Sequence, residues 1–173
     1  MNRILLKDGA NTRSGVVWHT QGSGKTLTMI MLTKMILRES MQPKSMIKQP
    51  RFVMVTDRIN LDKQIRDNFI HTQMSPHRAK TGKGLIELLK EESNTVITAL
   101  VNKFEAAVKQ EYCNDSENIF VFIDEGHRTQ YGKLNIYMNR VLPNAVKIAF
   151  TGTPLMQKKP KENKRDIIPA RDT

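Results

Sequence analysis

Apolar residues along this chain fall into short uninterrupted runs, separated by longer stretches with helical spacing. Gly15-Val16-Val17-Trp18 reads as a first strand and Leu27 to Leu37 as a buried helix. The polar, proline-containing link Met41-Gln42-Pro43-Lys44-Ser45 precedes Phe52-Val53-Met54-Val55-Thr56, a second strand with polar residues on both sides. Leu61, Ile65 and Phe69 recur four apart, which predicts one face of a helix over 60–69, with Asn60 as its N-cap. A loop containing Pro76 and Gly82 leads to a short helix, Leu85 to Lys90. Thr95 to Thr98 is the third predicted strand, followed by a helix from about Val101 to Val108. Ile119-Phe120-Val121-Phe122-Ile123 is the fourth, apolar throughout and so expected to be buried on both faces of a parallel sheet. A helix carrying Leu134, Tyr137, Met138, Val141 and Leu142 ends at Pro143, and Ala145 to Phe150 is the fifth strand.

Strands alternating with helices in this way predict an α/β fold, a parallel sheet with helices on both faces. No internal repeat and no linker between comparable domains is visible. At 173 residues the chain suits one domain over 15–156, after an irregular polar segment at 1–14 and before a basic tail at 157–173 that is expected to be disordered. The 39% hydrophobic and 6% aromatic content points to an aliphatic interior.

Charge changes the picture more than size does. Lys and Arg total 28 against 17 acidic residues, a formal net charge of +11, which favours a polyanionic partner such as nucleic acid. Part of that excess lies in the tail, from Lys158 to Arg165, where it reads as a solvated end. No apolar run is long enough to span a bilayer, and the first residues lack a secretory pattern. The single cysteine, Cys113, allows neither an internal disulfide nor a CxxC metal site, so the expected compartment is the cytoplasm.

The chemistry concentrates at three places, each after a predicted strand. His19-Thr20-Gln21-Gly22-Ser23-Gly24-Lys25-Thr26 describes a phosphate-binding loop leading into a helix. Gly22, Ser23 and Gly24 let successive N–H groups curl around an anion, and the new helix adds its positive end. Lys25 can reach the β- and γ-phosphates of ATP, and the Thr26 hydroxyl can hold Mg2+. His19 stands where the motif G-x-x-x-x-G-K-[ST] has its first glycine. The fourth strand runs into Asp124-Glu125-Gly126-His127. Strand carboxyl ends form the ligand crevice of an open parallel sheet, so both carboxylates are expected beside the phosphate loop. Asp124 can coordinate the metal and Glu125 can orient and deprotonate an attacking water. After the fifth strand, the hydroxyls of Thr151 and Thr153 can sense a γ-phosphate; alone, Thr151-Gly152-Thr153-Pro154 would equally be an ordinary turn.

Taken in order, these strings and Val55-Thr56-Asp57-Arg58-Ile59-Asn60-Leu61-Asp62-Lys63-Gln64 resemble the first RecA-like lobe of superfamily 2 helicases and translocases, a P-loop NTPase fold. Trp18-His19-Thr20-Gln21, Thr56-Asp57-Arg58 and His127-Arg128-Thr129-Gln130-Tyr131-Gly132 resemble in particular the restriction (R) subunit of type I restriction-modification enzymes. The resemblance covers roughly 15–156. It implies an ATP-driven translocase of double-stranded DNA, working with modification and specificity subunits. It also implies that His127, Thr151 and Thr153 couple nucleotide state to DNA, and that Thr56, Asp57 and Arg58 lie near the DNA backbone.

Two features depart from the family. Gly126 replaces its usual alanine, which adds backbone freedom beside Glu125. A nuclease domain and a second motor lobe do not fit in this length, so the chain is expected to be a truncated piece with little activity alone. Two other readings stay open at this point: the first lobe of another superfamily 2 DNA helicase, and a nucleotide-dependent binding module without turnover.

Overall fold

A computed structural model describes residues 15–18, 24–93, 95–124 and 128–152. The elements are β1 (Gly15–Trp18), α1 (Lys25–Ser40), β2 (Arg51–Thr56), α2 (Ile59–His71), β3 (His77–Ala79), α3 (Gly82–Lys90), β4 (Val96–Leu100), α4 (Val101–Lys109), β5 (Ile119–Asp124), α5 (Arg128–Val141) and β6 (Val146–Thr151). The strands form one sheet of six in the order β1-β6-β5-β2-β4-β3, and every pairing is parallel. This is the α/β fold expected from the alternation of apolar runs and helical stretches.

The placement of helices follows from the chain path. From β1 to β2 to β3 the chain moves across the sheet in one direction, and from β3 back through β4 and β5 to β6 it moves in the other. Parallel crossovers are right-handed, so a reversal of direction sends the later helices to the opposite face. Accordingly α1 and α2 pack on one face, through Met29, Ile30, Ile36, Ile65 and Phe69. The other face takes α3, α4 and α5, through Leu85, Leu89, Phe104, Leu134 and Met138. Alternate strand residues divide between the two layers: Phe52 and Met54 belong to the first, Val53 and Val55 to the second.

The interior is not uniformly aliphatic. Phe52, Phe69, Phe120, Phe122 and Phe150 all lie in the layer beneath α1 and α2. Rings from three neighbouring strands form a row there, with Phe52 and Phe120 centroids 5.5 Å apart and Phe122 and Phe150 also 5.5 Å apart. Register sets this up, because Phe52 pairs with Phe120 between β2 and β5. The aliphatic expectation holds for the opposite layer, where Val, Ile, Leu and Ala predominate.

Several boundaries differ from the sequence reading, each for a local reason. The stretch after Pro76 contains β3, a three-residue edge strand on β4, too short to leave a pattern of its own. Helix α3 begins at Gly82 rather than Leu85, because the Thr81 hydroxyl accepts a bond from the Gly84 N–H at 2.9 Å and caps it. Gly82 sits where α3 crosses α4, and a Cβ there would collide with the Cβ of Ala106. The other end of α3 is closed by Arg51, whose guanidinium donates to the carbonyls of Leu88 (2.8 Å) and Leu89 (2.9 Å). A cation on the last carbonyls of a helix satisfies orphan acceptors and opposes the helix dipole. Burial pushes the Arg51 pKa down, so these bonds are what offset the removal of its charge from water.

Asn60 is not an N-cap. Arg58, in extended conformation, occupies that position, and α2 starts at Ile59. The fully buried stripe of α2 is Asp62, Ile65 and Phe69, with Leu61 only partly buried at its margin.

Two outcomes are expected. Gly82→Ala, which forces α3 and α4 apart, costs about 1–3 kcal/mol, read from the urea unfolding midpoint. Lys147 is buried in β6, where among the described residues its ammonium donates to the Ala145 carbonyl at 3.4 Å, and burial lowers its pKa from 10.5. The folded chain therefore gives up this proton more readily than the unfolded chain. The penalty is full below the lowered folded pKa and is relieved as pH rises towards 10.5. Lys147→Met raises Tm at neutral pH by about 2–4 °C, and the gap to wild type narrows at high pH.

Candidate nucleotide-binding site

Helices α2 and α5, which follow β2 and β5 in the chain, pack on opposite faces of the sheet. A crevice opens at the carboxyl edge where neighbouring strands diverge in this way. A cleft of 1260 Å³ lies there. Its walls come from the start of α1 (Gly24, Lys25, Thr26), from the β2–α2 corner (Asp57, Arg58) and from Asp124.

Each wall has a local cause. Gly24 takes a left-handed conformation, φ 84°, just before α1, which glycine adopts without a Cβ penalty. The N-cap Gly24 has no side chain to cap α1 and the first turn carries no acidic residue, so the positive end of the helix meets the cleft without a carboxylate from its own first turn. Lys25 and Thr26 are the first two helical residues and are half-buried in the cleft wall. Asp124 ends β5, which is buried along its whole length, and its own exposure is 4%. Asp124 pairs with Phe150, one residue before Thr151, and Thr151 in turn pairs with Trp18. Lys25, Asp124 and Thr151 therefore share the carboxyl edge of the sheet.

At the β2–α2 corner the three motif residues do different things. Thr56 is buried; its hydroxyl accepts from the Arg58 N–H at 3.2 Å and donates to the Arg58 carbonyl at 3.4 Å. It holds the corner rather than offering itself at the surface. Arg58 is 66% exposed and lies 3.8 Å from the Asp57 carboxylate. Gly22, Ser23, Glu125, His127 and Thr153 lie outside the described residues, as do 1–14 and 157–173.

The sequence reading missed the longest wall of the cleft. Asn60, Gln64, Asn68 and His71 of α2 line it. Their signal was present: the four-residue spacing of Leu61, Ile65 and Phe69 has a polar copy one position earlier. An amide row of that kind looks like an ordinary solvated face until a neighbouring element makes it a wall.

The donor set fits a magnesium nucleotide. Thr26 and Asp124 supply the hard oxygens that Mg2+ prefers, and Lys25 with the α1 N-terminus supplies positive charge for phosphate. Fold and cleft together define a RecA-like P-loop NTPase lobe. Comparison with known proteins specifies it further: the SWI2/SNF2 ATPase profile matches residues 1–167, and the chain belongs to that family.

A Methanocaldococcus jannaschii protein provisionally assigned as the type I restriction enzyme MjaIXP endonuclease subunit is 36% identical over 146 residues, covering 83% of this chain and 14% of its own. The type I restriction enzyme HindI endonuclease subunit of Haemophilus influenzae is also 36% identical, over 163 residues, covering 83% of this chain and 15% of its own. These relatives agree with the resemblance drawn from the motifs, and the chain spans about one-seventh of their length. Among solved structures, a nuclease-deletion mutant of the type ISP restriction-modification enzyme LlaGI, in complex with a DNA substrate mimic, superposes with TM-score 0.56 over 84% of this chain and 16% of that one. At 18% identity this is a likeness of fold. Among the described residues no helix is long and apolar enough to cross a membrane.

Proposed function

We propose that this chain is the first motor lobe of a type I restriction R subunit, binding Mg·ATP and using its hydrolysis to drive movement on double-stranded DNA. The observation that carries this reading is the meeting of Lys25, Thr26 and Asp124 in one cleft at the carboxyl edge of the sheet. In this reading Gly22, Ser23 and Gly24 wrap the phosphates and Lys25 neutralises the β- and γ-phosphates. Thr26 and Asp124 hold Mg2+, which polarises the transferring phosphoryl group when bound. Glu125 takes a proton from the attacking water. His127, Thr151 and Thr153 pass the state of the γ-phosphate to the DNA-facing surface. Arg58 contacts the DNA backbone, and Thr56 fixes the corner that presents it. The working complex includes modification and specificity subunits and operates in the cytoplasm.

Turnover requires stabilisation of charge on the γ-phosphoryl group. An arginine from a facing lobe supplies a factor of about 10³–10⁵ in comparable enzymes, so the rate of this lobe depends on being completed by a second one. The R-subunit relatives favour this reading over a generic helicase lobe.

Titration calorimetry tests the nucleotide site. Lys25→Ala weakens Mg·ATP binding by about tenfold or more, roughly 1.4 kcal/mol. Equal affinity in the two proteins would mean that nucleotide binds elsewhere. For DNA, fluorescence anisotropy with duplexes of different sequence should give equal affinities that fall steeply with salt. Arg58→Ala lowers the salt slope by about 0.9 if this residue covers one phosphate, and leaves it unchanged if it covers none.

A further inference from the structure

Asp62 is an anomaly in the buried face of α2. It is 0% exposed in the first turn, aligned with Ile65 and Phe69 where an apolar side chain would be expected. Its charged partner is Arg78 on the edge strand β3, with Nε 2.7 Å from Oδ2. That N–H is not aligned on the oxygen, so neither carboxylate oxygen receives a hydrogen bond among the described residues. Arg78 pairs in register with Thr98, whose buried hydroxyl also lacks a hydrogen-bond partner. A carboxylate held this way gives up solvation that one ion pair repays poorly, and an apolar pair of similar volume would be at least as stable. Stability therefore does not account for it.

Helix geometry offers another account. The buried row Asp62, Ile65, Phe69 and the cleft row Asn60, Gln64, Asn68 occupy the same helix. At roughly 100° per residue their centres lie about 130° apart around its axis. Apolar packing is non-directional and tolerates small rotations of a helix. An ion pair to a fixed strand does not. We infer that Asp62 and Arg78 are positioning residues: their ion pair sets the rotation of α2 and so points the amide row of Asn60, Gln64 and Asn68 into the cleft. The row lines the same cleft as Lys25, Thr26 and Asp124, so its ligand is the Mg·ATP that the proposed function places there. That ligand assignment rests on the proposed function; the positioning role does not.

The test compares the whole chain with the double variant Asp62→Leu/Arg78→Met, and Arg78→Lys with Arg78→Gln. Three quantities are measured: the unfolding midpoint, the NMR signals of the side-chain amides of Asn60, Gln64 and Asn68, and affinity for Mg·ATP. The double variant is expected to unfold no earlier than wild type, yet to shift all three amide signals and bind Mg·ATP about tenfold more weakly. Arg78→Gln is expected to shift the same signals, and Arg78→Lys, which keeps the charge, to restore them. Unchanged amide signals in the double variant would overturn the inference. Should that variant fail to fold, unchanged signals in Arg78→Gln overturn it equally. A wild-type chain without Mg·ATP affinity would remove nucleotide from the proposed function, while the amide signals would still decide the positioning role.

Discussion

Strand β5 pairs in register with β2 on one side and β6 on the other, and all six of its residues are buried. Its apolar side chains join both hydrophobic layers, so neither face can slip without disturbing the other. The same pairing fixes Asp124 at the carboxyl edge and brings the β2 corner beside it. Through β6 it also places β1, and with β1 the start of α1. The site is thus a by-product of sheet register: moving β5 by one residue would exchange its two buried layers and carry Asp124 away from Lys25.

Buried charges in this fold divide into those that close a structure and those that constrain one. Arg51 closes the end of α3 with two charge-assisted hydrogen bonds, which offset its loss of water. Among the described residues Lys147 has one long bond, to the Ala145 carbonyl, to offset burial. Asp62 lies between these cases, with a close ion pair but no aligned hydrogen bond.

Most of the fold was legible because a parallel sheet buried on both faces writes itself as plain apolar runs. Phe52 to Thr56 and Ile119 to Ile123 are read directly as strands for that reason. The meeting of Lys25, Thr26 and Asp124 in one cleft was legible because each stands just after a strand or its loop, at the carboxyl edge of the sheet. What escaped detection depended on contacts distant in sequence. Strand β3 is defined by its pairing with β4, and the α3 start by the approach of Ala106 to Gly82. The inward turn of Asp62 is set by Arg78, and the amide wall by the position of α1 opposite it. Asn60 shows the limit of local rules: its residue type suits an N-cap, but the Thr56 hydroxyl had already turned the corner two residues earlier.

Among the described residues β1 has one sheet neighbour, β6, and Trp18 lies against Thr151 at the far end of the described chain. Closing so long a loop is entropically slow, and during synthesis β1 emerges well before its partner. Among the described residues, the strand that precedes the expected phosphate loop therefore has no sheet to join until β6 has left the ribosome. In the proposed function, nucleotide binding is in this sense a report of assembly: a loop able to grip phosphate is one whose strand β1 is already paired with β6.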